Sequence, residues 1–286
     1  MRTIVSALTT AYKMPCINVL LGARPWFVRP VEVFGHRQTT VEYLDPAGGR
    51  KGGEGAREVC RTAYGVRMRV LVSGGAGHIG SHTVVQLAAA GHDVVIVDSF
   101  ANAKPTVVGR LEALTGTHLE VHGFDLTDKD KTERLFAAEK FDAVIHFAGL
   151  KAVGESVQIP LDYYVNNLES TFSLLQAMRR HGCDLLVFSS SATVYGEVAP
   201  VPYQEDYEPL SASSPYGRTK VMIEHVLRDV AAIDERLKVA ILRYFNPVGA
   251  HQSGTIGEDP QGVPNNLLPY VAQVAVGRRA ALQVWG

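Results

Sequence analysis

Tyr216 and Lys220 stand four positions apart in the run Ser214-Pro215-Tyr216-Gly217-Arg218-Thr219-Lys220. On a helix that opens at Tyr216, a phenol and an ammonium then share one face. A free phenol has a pKa of about 10, and a cation close by favours the phenolate, which makes the tyrosine a base near neutral pH. Well upstream lies a glycine-rich turn, Gly74-Gly75-Ala76-Gly77-His78-Ile79-Gly80. Gly74, Gly77 and Gly80 follow an apolar run and enter a helical pattern, so backbone amides at the helix N-terminus can face a pyrophosphate. A phenolate base beside a dinucleotide is the equipment for oxidising an alcohol.

Two further groups extend that chemistry. Asp98 ends the run Val94-Val95-Ile96-Val97-Asp98 about 20 residues beyond the turn, where a carboxylate binds the ribose of a dinucleotide and repels a 2′-phosphate. It therefore points to NAD rather than NADP; a carboxylate that merely caps the loop after its strand is the alternative. Phe188-Ser189-Ser190-Ser191-Ala192-Thr193-Val194-Tyr195-Gly196 brings hydroxyls to the end of another strand. Ser191 is the candidate to donate to a substrate oxygen while Tyr216 moves the proton, with Lys220 reaching the nicotinamide ribose. A serine run also suits a plain strand-end turn. His78 and His82 are one helical turn apart, but Ile79 stands where a zinc protease motif has Glu, so they read as polar contacts and no metal is expected.

The elements that must position these residues alternate. Strands are expected at 68–73, 94–98, 119–123, 143–147, 185–190 and 239–244, each short and rich in Val, Ile or Phe. Helical patterns fall near 78–90, 106–115, 128–139, 163–181 and 215–232, with Thr127 or Asp128 as a cap for the third. This alternation predicts an α/β fold, a doubly wound parallel Rossmann sheet. Beyond Asn246 it stops: 247–264 reads as a long Gly/Pro-rich excursion, followed by a helix over 266–276.

The chain as a whole sets bounds. Its 286 residues, 46% hydrophobic and 20% charged, can bury a sizeable core, and a net charge of −1 gives no footprint for nucleic acid or an anionic membrane. Cys16, Cys60 and Cys183 form no CxxC pair, which makes the reducing cytoplasm the default. No apolar run approaches the roughly 20 residues of a membrane span. Residues 1–67 lack sustained periodicity, carry many arginines and contain Gly48-Gly49-Arg50-Lys51-Gly52-Gly53. They read as a disordered or mis-assigned leader before a start at Met68. A transit peptide, diluted by Glu32, Glu42, Asp45, Glu54 and Glu58, and an extra module are the other readings. The division is therefore 1–67 leader, 68–245 NAD-binding domain and 246–286 the start of a substrate-binding lobe.

The glycine turn has the GxxGxxG spacing of short-chain dehydrogenases. From Met68 to Gly286 the chain resembles the UDP-glucose 4-epimerases, extended members of the short-chain dehydrogenase/reductase family. The resemblance rests on Gly74 to Gly80, Phe147-Ala148-Gly149-Leu150-Lys151-Ala152-Val153-Gly154-Glu155-Ser156, Ser189 to Gly196, Tyr216 to Lys220 and Arg243-Tyr244-Phe245-Asn246-Pro247-Val248-Gly249-Ala250. It implies that tightly held NAD takes a hydride from the sugar C4 while Tyr216 takes the hydroxyl proton. The 4-keto sugar then turns over and is reduced on its other face, interconverting UDP-glucose and UDP-galactose. It also implies a cofactor site of His78, Ile79, Asp98, Ser99, Phe100, Ala101, Asn102, Ala103, Asp125, Leu126, Phe147, Ala148, Gly149, Leu150, Lys151, Asn166 and Phe245, with Ser191, Tyr216 and Lys220. Substrate contacts follow from Lys151, Ser191, Thr193, Tyr216, Asn246, Asn266 and Leu267, and from Gln283, Val284 and Trp285 beside uracil. A homodimer paired through the helices at 163–181 and 215–232 is the family's assembly.

Ala192-Thr193-Val194 offers no carboxylate beside the strand-end hydroxyl. Sugar-nucleotide 4,6-dehydratases need an acid and a base there to eliminate water, whereas epimerisation returns the same hydride and proton. The sequence stops just after the uracil strand, before the rest of the family's substrate lobe. A non-catalytic NAD-binding fragment and a related sugar-nucleotide oxidoreductase are thus the alternatives to an epimerase.

Overall fold

Runs of Val, Ile and Leu that are apolar on both faces need cover on both sides, and helices supply it. The computed structural model of the chain describes residues 19–21, 67–260, 264 and 266–282. Its strands are β1 (Val19–Leu21), β2 (Arg69–Ser73), β3 (Asp93–Asp98), β4 (Glu120–Gly123), β5 (Ala143–His146), β6 (Leu185–Ser191) and β7 (Lys238–Tyr244). The helices are α1 (His78–Ala89), α2 (Thr106–Thr115), α3 (Lys129–Ala138), α4 (Val153–Gln158), α5 (Pro160–His181), α6 (Pro215–Ile233) and α7 (Leu267–Ala275), with a 3₁₀ turn at Ala192–Tyr195. The strands form one sheet in the order β1-β7-β6-β5-β2-β3-β4. β2 to β7 are parallel, and β1 runs antiparallel along β7.

From β2 the chain winds outward through β3 and β4, then crosses back to β5, β6 and β7. The direction reverses between β2 and β5, and a doubly wound sheet opens its ligand crevice at such a point. Strand alternation sends Val70 and Val72 with Ile96 into one apolar layer, completed by Val84, Leu87 and Leu111. Leu71, Val95 and Val97 enter the other, with Phe136, Leu174, Met178, Ile223 and Leu227. The expected elements are present from 68 onward. The 163–181 pattern extends upstream into α4 and an earlier start of α5, because Pro160 takes the first-turn position where its missing N–H costs nothing. Asp128, not Thr127, caps α3, its side chain accepting from the Lys131 amide at 3.0 Å.

At the opposite end of the sheet Arg69 bonds Asp93, Glu120 and Glu139, joining β2, β3, β4 and the end of α3. Glu120, His122 and Glu139 have the donor spacing of a metal site, but this guanidinium already holds both carboxylates. Among the described residues no helix is long and apolar enough to cross a membrane.

Candidate active site

Gly74 and Gly80 make the turn at the end of β2. Gly74 has φ +69°, and a Cβ built on Gly80 falls 2.1 Å from the Gly74 carbonyl oxygen, so only glycine lets α1 start this close to the strand. The Gly74 amide donates to Val97 O at 2.7 Å and the Gly77 amide to Gly74 O at 3.1 Å. Asp98, 8% exposed, closes the crevice: Oδ2 accepts from the Ala76 amide at 3.0 Å and Oδ1 from the Phe100 amide at 2.9 Å. Burial raises its pKa, and those two amides pull it back. The capping alternative thus describes part of what Asp98 does, and the same carboxylate edges the crevice. Phe100, at φ 56°, is held in a left-handed conformation beside it, between Ser99 and the continuation of the loop through Ala101, Asn102 and Ala103.

The loop after β5 forms the facing wall. Phe147 donates its amide to Ser73 O at 3.0 Å, and the Ala148 amide lies 3.4 Å from Ser73 Oγ. Asn167 clamps the segment, accepting the Leu150 amide at 2.8 Å and donating to Leu150 O and Thr219 Oγ1, each at 3.0 Å. A Cβ built on Gly149 would fall 3.0 Å from Asn167 Oδ1. Asp125 accepts from Thr127 and lies 3.5 Å from the Asn166 amide, beside buried Leu126. Ile79 packs into the core from the first turn of α1.

Ser191, Thr193, Tyr216 and Lys220 come together at the carboxyl end of β6. Ser214 caps α6 by accepting from the Gly217 amide at 3.1 Å, and Pro215 follows, which fixes Tyr216 in the first turn. Ser191 lies close enough to the Tyr216 phenol to lower its pKa, and its Oγ accepts from Thr193 Oγ1 at 3.0 Å. Lys220, 6% exposed, donates from Nζ to Ser189 O at 2.8 Å, with Nζ 4.8 Å from the Phe188 ring centre and 5.8 Å from that of Tyr216. Burial lowers its pKa to about 8, opposed by the charge of Glu224. The expectation of a depressed phenol is corrected here. Burial raises the Tyr216 pKa and the Ser191 bond lowers it only in part, because the ammonium is committed to the strand end.

The excursion after β7 folds back over the glycine turn. Gly249 O lies 3.1 Å from His78 Nε2, Asp259 pairs with Lys104, and Arg110 donates to Thr255 O at 3.1 Å. Glu258, whose side chain is 11% exposed, accepts from Lys151 at 3.4 Å and from the Asn266 amide. Phe245, 47% exposed, stacks on Tyr203, and Asn246 beside it is exposed. Leu267 opens α7 and is exposed, while Gln283, Val284 and Trp285 lie outside the described residues.

Sequence reasoning missed His146, Glu224 and Glu258. His146 is fully buried between Ser73 Oγ, 2.7 Å from Nδ1, and Thr171 Oγ1, 3.1 Å from Nε2; burial drives its pKa to about 3. Its place at the end of an apolar strand is the one signal that could have found it.

The sequence profile of the NAD dependent epimerase/dehydratase family matches residues 70–286. The chain belongs to that family. Among curated members it is 58% identical over 220 residues to a UDP-glucose 4-epimerase of Cyamopsis tetragonoloba, covering 76% of this chain and 63% of that protein. It is 55% identical over 219 residues to the UDP-glucose 4-epimerase of Yersinia pestis, covering 77% and 65%. The crystal structure of UDP-glucose 4-epimerase from Bifidobacterium longum in complex with NAD+ and UDP superposes with a TM-score of 0.74 at 49% identity, over 76% of this chain and 65% of that one. The chain thus spans less than two thirds of the length of these relatives.

Proposed function

We propose that this chain is an NAD-dependent isomerase that interconverts UDP-glucose and UDP-galactose by 4-epimerisation, through a 4-keto sugar. The observation that carries the reading is the cluster of Ser191, Tyr216 and Lys220 on one side of the switch-point crevice, with the glycine turn and Asp98 on the other. The turn fits a dinucleotide: a Cβ at Gly80 would fill the cradle, and Asp98 stands at its edge with its carboxylate held by the backbone amides of Ala76 and Phe100. Gly74 to Gly80, Asp98 to Ala103, Asp125, Leu126, Phe147 to Lys151, Asn166 and Phe245 would hold the NAD. Bound NAD supplies a hydride acceptor that becomes the donor in the return step.

The chain's own residues handle the proton and the sugar. Ser191 donates to the C4 oxygen, and Tyr216, entering the step as the phenolate, receives the C4 hydroxyl proton and later gives it back. Lys220, held by Ser189 O, keeps a positive charge beside the phenol as that proton moves. Thr193 orients Ser191. Lys151, Asn246, Asn266, Leu267 and Gln283 to Trp285 would contact the sugar nucleotide. Since Ala192 to Val194 bring no carboxylate, elimination of water has no acid and base, and the hydride and proton are returned.

Val157, Leu161 and Val165 are 64%, 71% and 45% exposed on α4 and α5, and a second copy of the chain covers this apolar face in the proposed homodimer. The expected setting is cytoplasmic galactose metabolism. The test is incubation of the purified chain with UDP-galactose and chromatography for UDP-glucose. No conversion by protein with bound NAD would overturn the reading in favour of a non-catalytic dinucleotide-binding protein.

A further inference from the structure

Behind the Ser191–Tyr216 contact lies a buried ion pair that no step above uses. Glu224 on α6 is 0% exposed and Arg243 on β7 is 3% exposed. Glu224 Oε1 accepts from Ser190 Oγ at 2.6 Å and from Arg243 Nε at 3.1 Å; Oε2 accepts from Arg243 NH2 at 2.8 Å and from Arg228 NH2 at 3.3 Å. Arg243 NH1 also donates to Tyr195 OH at 3.0 Å and Glu205 O at 3.1 Å. Apolar residues of similar volume commonly replace such a pair without loss of stability, so a stable core does not require it.

What the pair does is join the three pieces of backbone that carry the chemistry. Ser190 precedes Ser191 on β6, Tyr195 ends the 3₁₀ turn that carries Thr193, and Glu224 follows Lys220 by one turn of α6 and Tyr216 by two. We propose that Glu224, braced by Arg243, is a positioning residue: it locks the strand end bearing Ser191 to the helix bearing Tyr216 and Lys220, and sets a fixed negative charge one turn beyond Lys220. Its kinetic consequence rests on the epimerase reading above. The groups facing Lys220 are Tyr216 and Glu224 from α6, neutral His146 from β5, and the Phe188 ring and Ser189 carbonyl from β6, with Arg243 of β7 bound to Glu224. Glu224 is the one whose charge favours the ammonium, against burial.

The experiment compares the purified chain with Glu224→Gln and with the double variant Glu224→Met/Arg243→Met, which removes both charges together. Lysine 15N NMR titration should move the Lys220 midpoint down by about one pH unit in both variants. With UDP-galactose, kcat should fall about 100-fold while KM changes less than about 3-fold, the mark of lost alignment, and the alkaline limb of kcat should move to lower pH. If Glu224→Gln does not fold, the double variant decides. An unmoved Lys220 midpoint, or wild-type kcat in the folded double variant, overturns the proposal. If the wild-type chain converts no UDP-galactose, the epimerase reading fails instead, and the titration still decides whether Glu224 sets the charge of Lys220.

Discussion

The ammonium of Lys220 lies 5.8 Å from the centre of the Tyr216 ring yet gives its hydrogen bond to the Ser189 carbonyl, at 2.8 Å. It is therefore a neighbour of the phenol and a bonding partner of the strand. Its position is set by β6, and the Tyr216 phenol stays above its ordinary pKa through burial.

That burial makes stability depend on alkaline pH. Lys220 titrates at about 8 in the folded chain against 10.5 for the free side chain, so between these values the unfolded state binds more protons and stability rises with pH. Lys220→Met removes this rise. Urea unfolding at pH 8 and pH 10.5 should show wild type gaining about 3 kcal/mol on the variant across that interval.

Tyr216→Phe removes the oxygen that exchanges the C4 proton under the proposed reading and leaves the turn and Asp98 untouched. Conversion of UDP-galactose should fall by at least about 100-fold, with bound NAD retained in the absorbance spectrum. Normal turnover would exclude Tyr216 as the base.

Asp98→Asn keeps an oxygen for the Ala76 amide and, under the proposed reading, removes the charge that would disfavour a 2′-phosphate. Titration with both dinucleotides should show the preference for NAD over NADP narrowing by roughly 10-fold.

Two glycines separate packing from propensity. Gly80→Ala drives a methyl into the Gly74 carbonyl and should cost about 3 kcal/mol or more, with loss of dinucleotide binding. Gly109→Ala, in the middle of α2 with open space around it, should stabilise by about 0.5–1 kcal/mol. Denaturant unfolding of both variants reads the contrast.

Val157→Glu with Leu161→Glu places charges on the exposed apolar face of α4 and α5. Sedimentation velocity should show a dimer for wild type and a monomer for the variant, at unchanged far-UV circular dichroism. A wild-type monomer at micromolar concentration would remove the proposed assembly.

The sheet was legible because most of its parallel strands, such as β2, β3 and β5, are short apolar runs separated by helical patterns, one of them capped at Asp128. The spacing of Tyr216 and Lys220 was equally plain, being local. The sign of the Tyr216 shift was not, since it depends on burial and on where Nζ finds its acceptor, and both are set by residues far away in sequence. Glu224 was hidden for the same reason. A glutamate on an amphipathic helix reads as solvent-facing until Ser190 and Arg243, 34 and 19 residues away, are seen around it.

The clasp formed by Gly249, Thr255 and Asp259 on His78, Arg110 and Lys104 bears on time rather than on equilibrium. Under the proposed reading, a dinucleotide seated on the glycine turn exchanges with solution only as fast as these contacts part. Because 4-epimerisation restores the dinucleotide within each cycle, slow exchange carries no penalty in turnover. The cofactor would then behave as a resident prosthetic group, and the rate of its escape would report on the loop, not on the affinity of the turn.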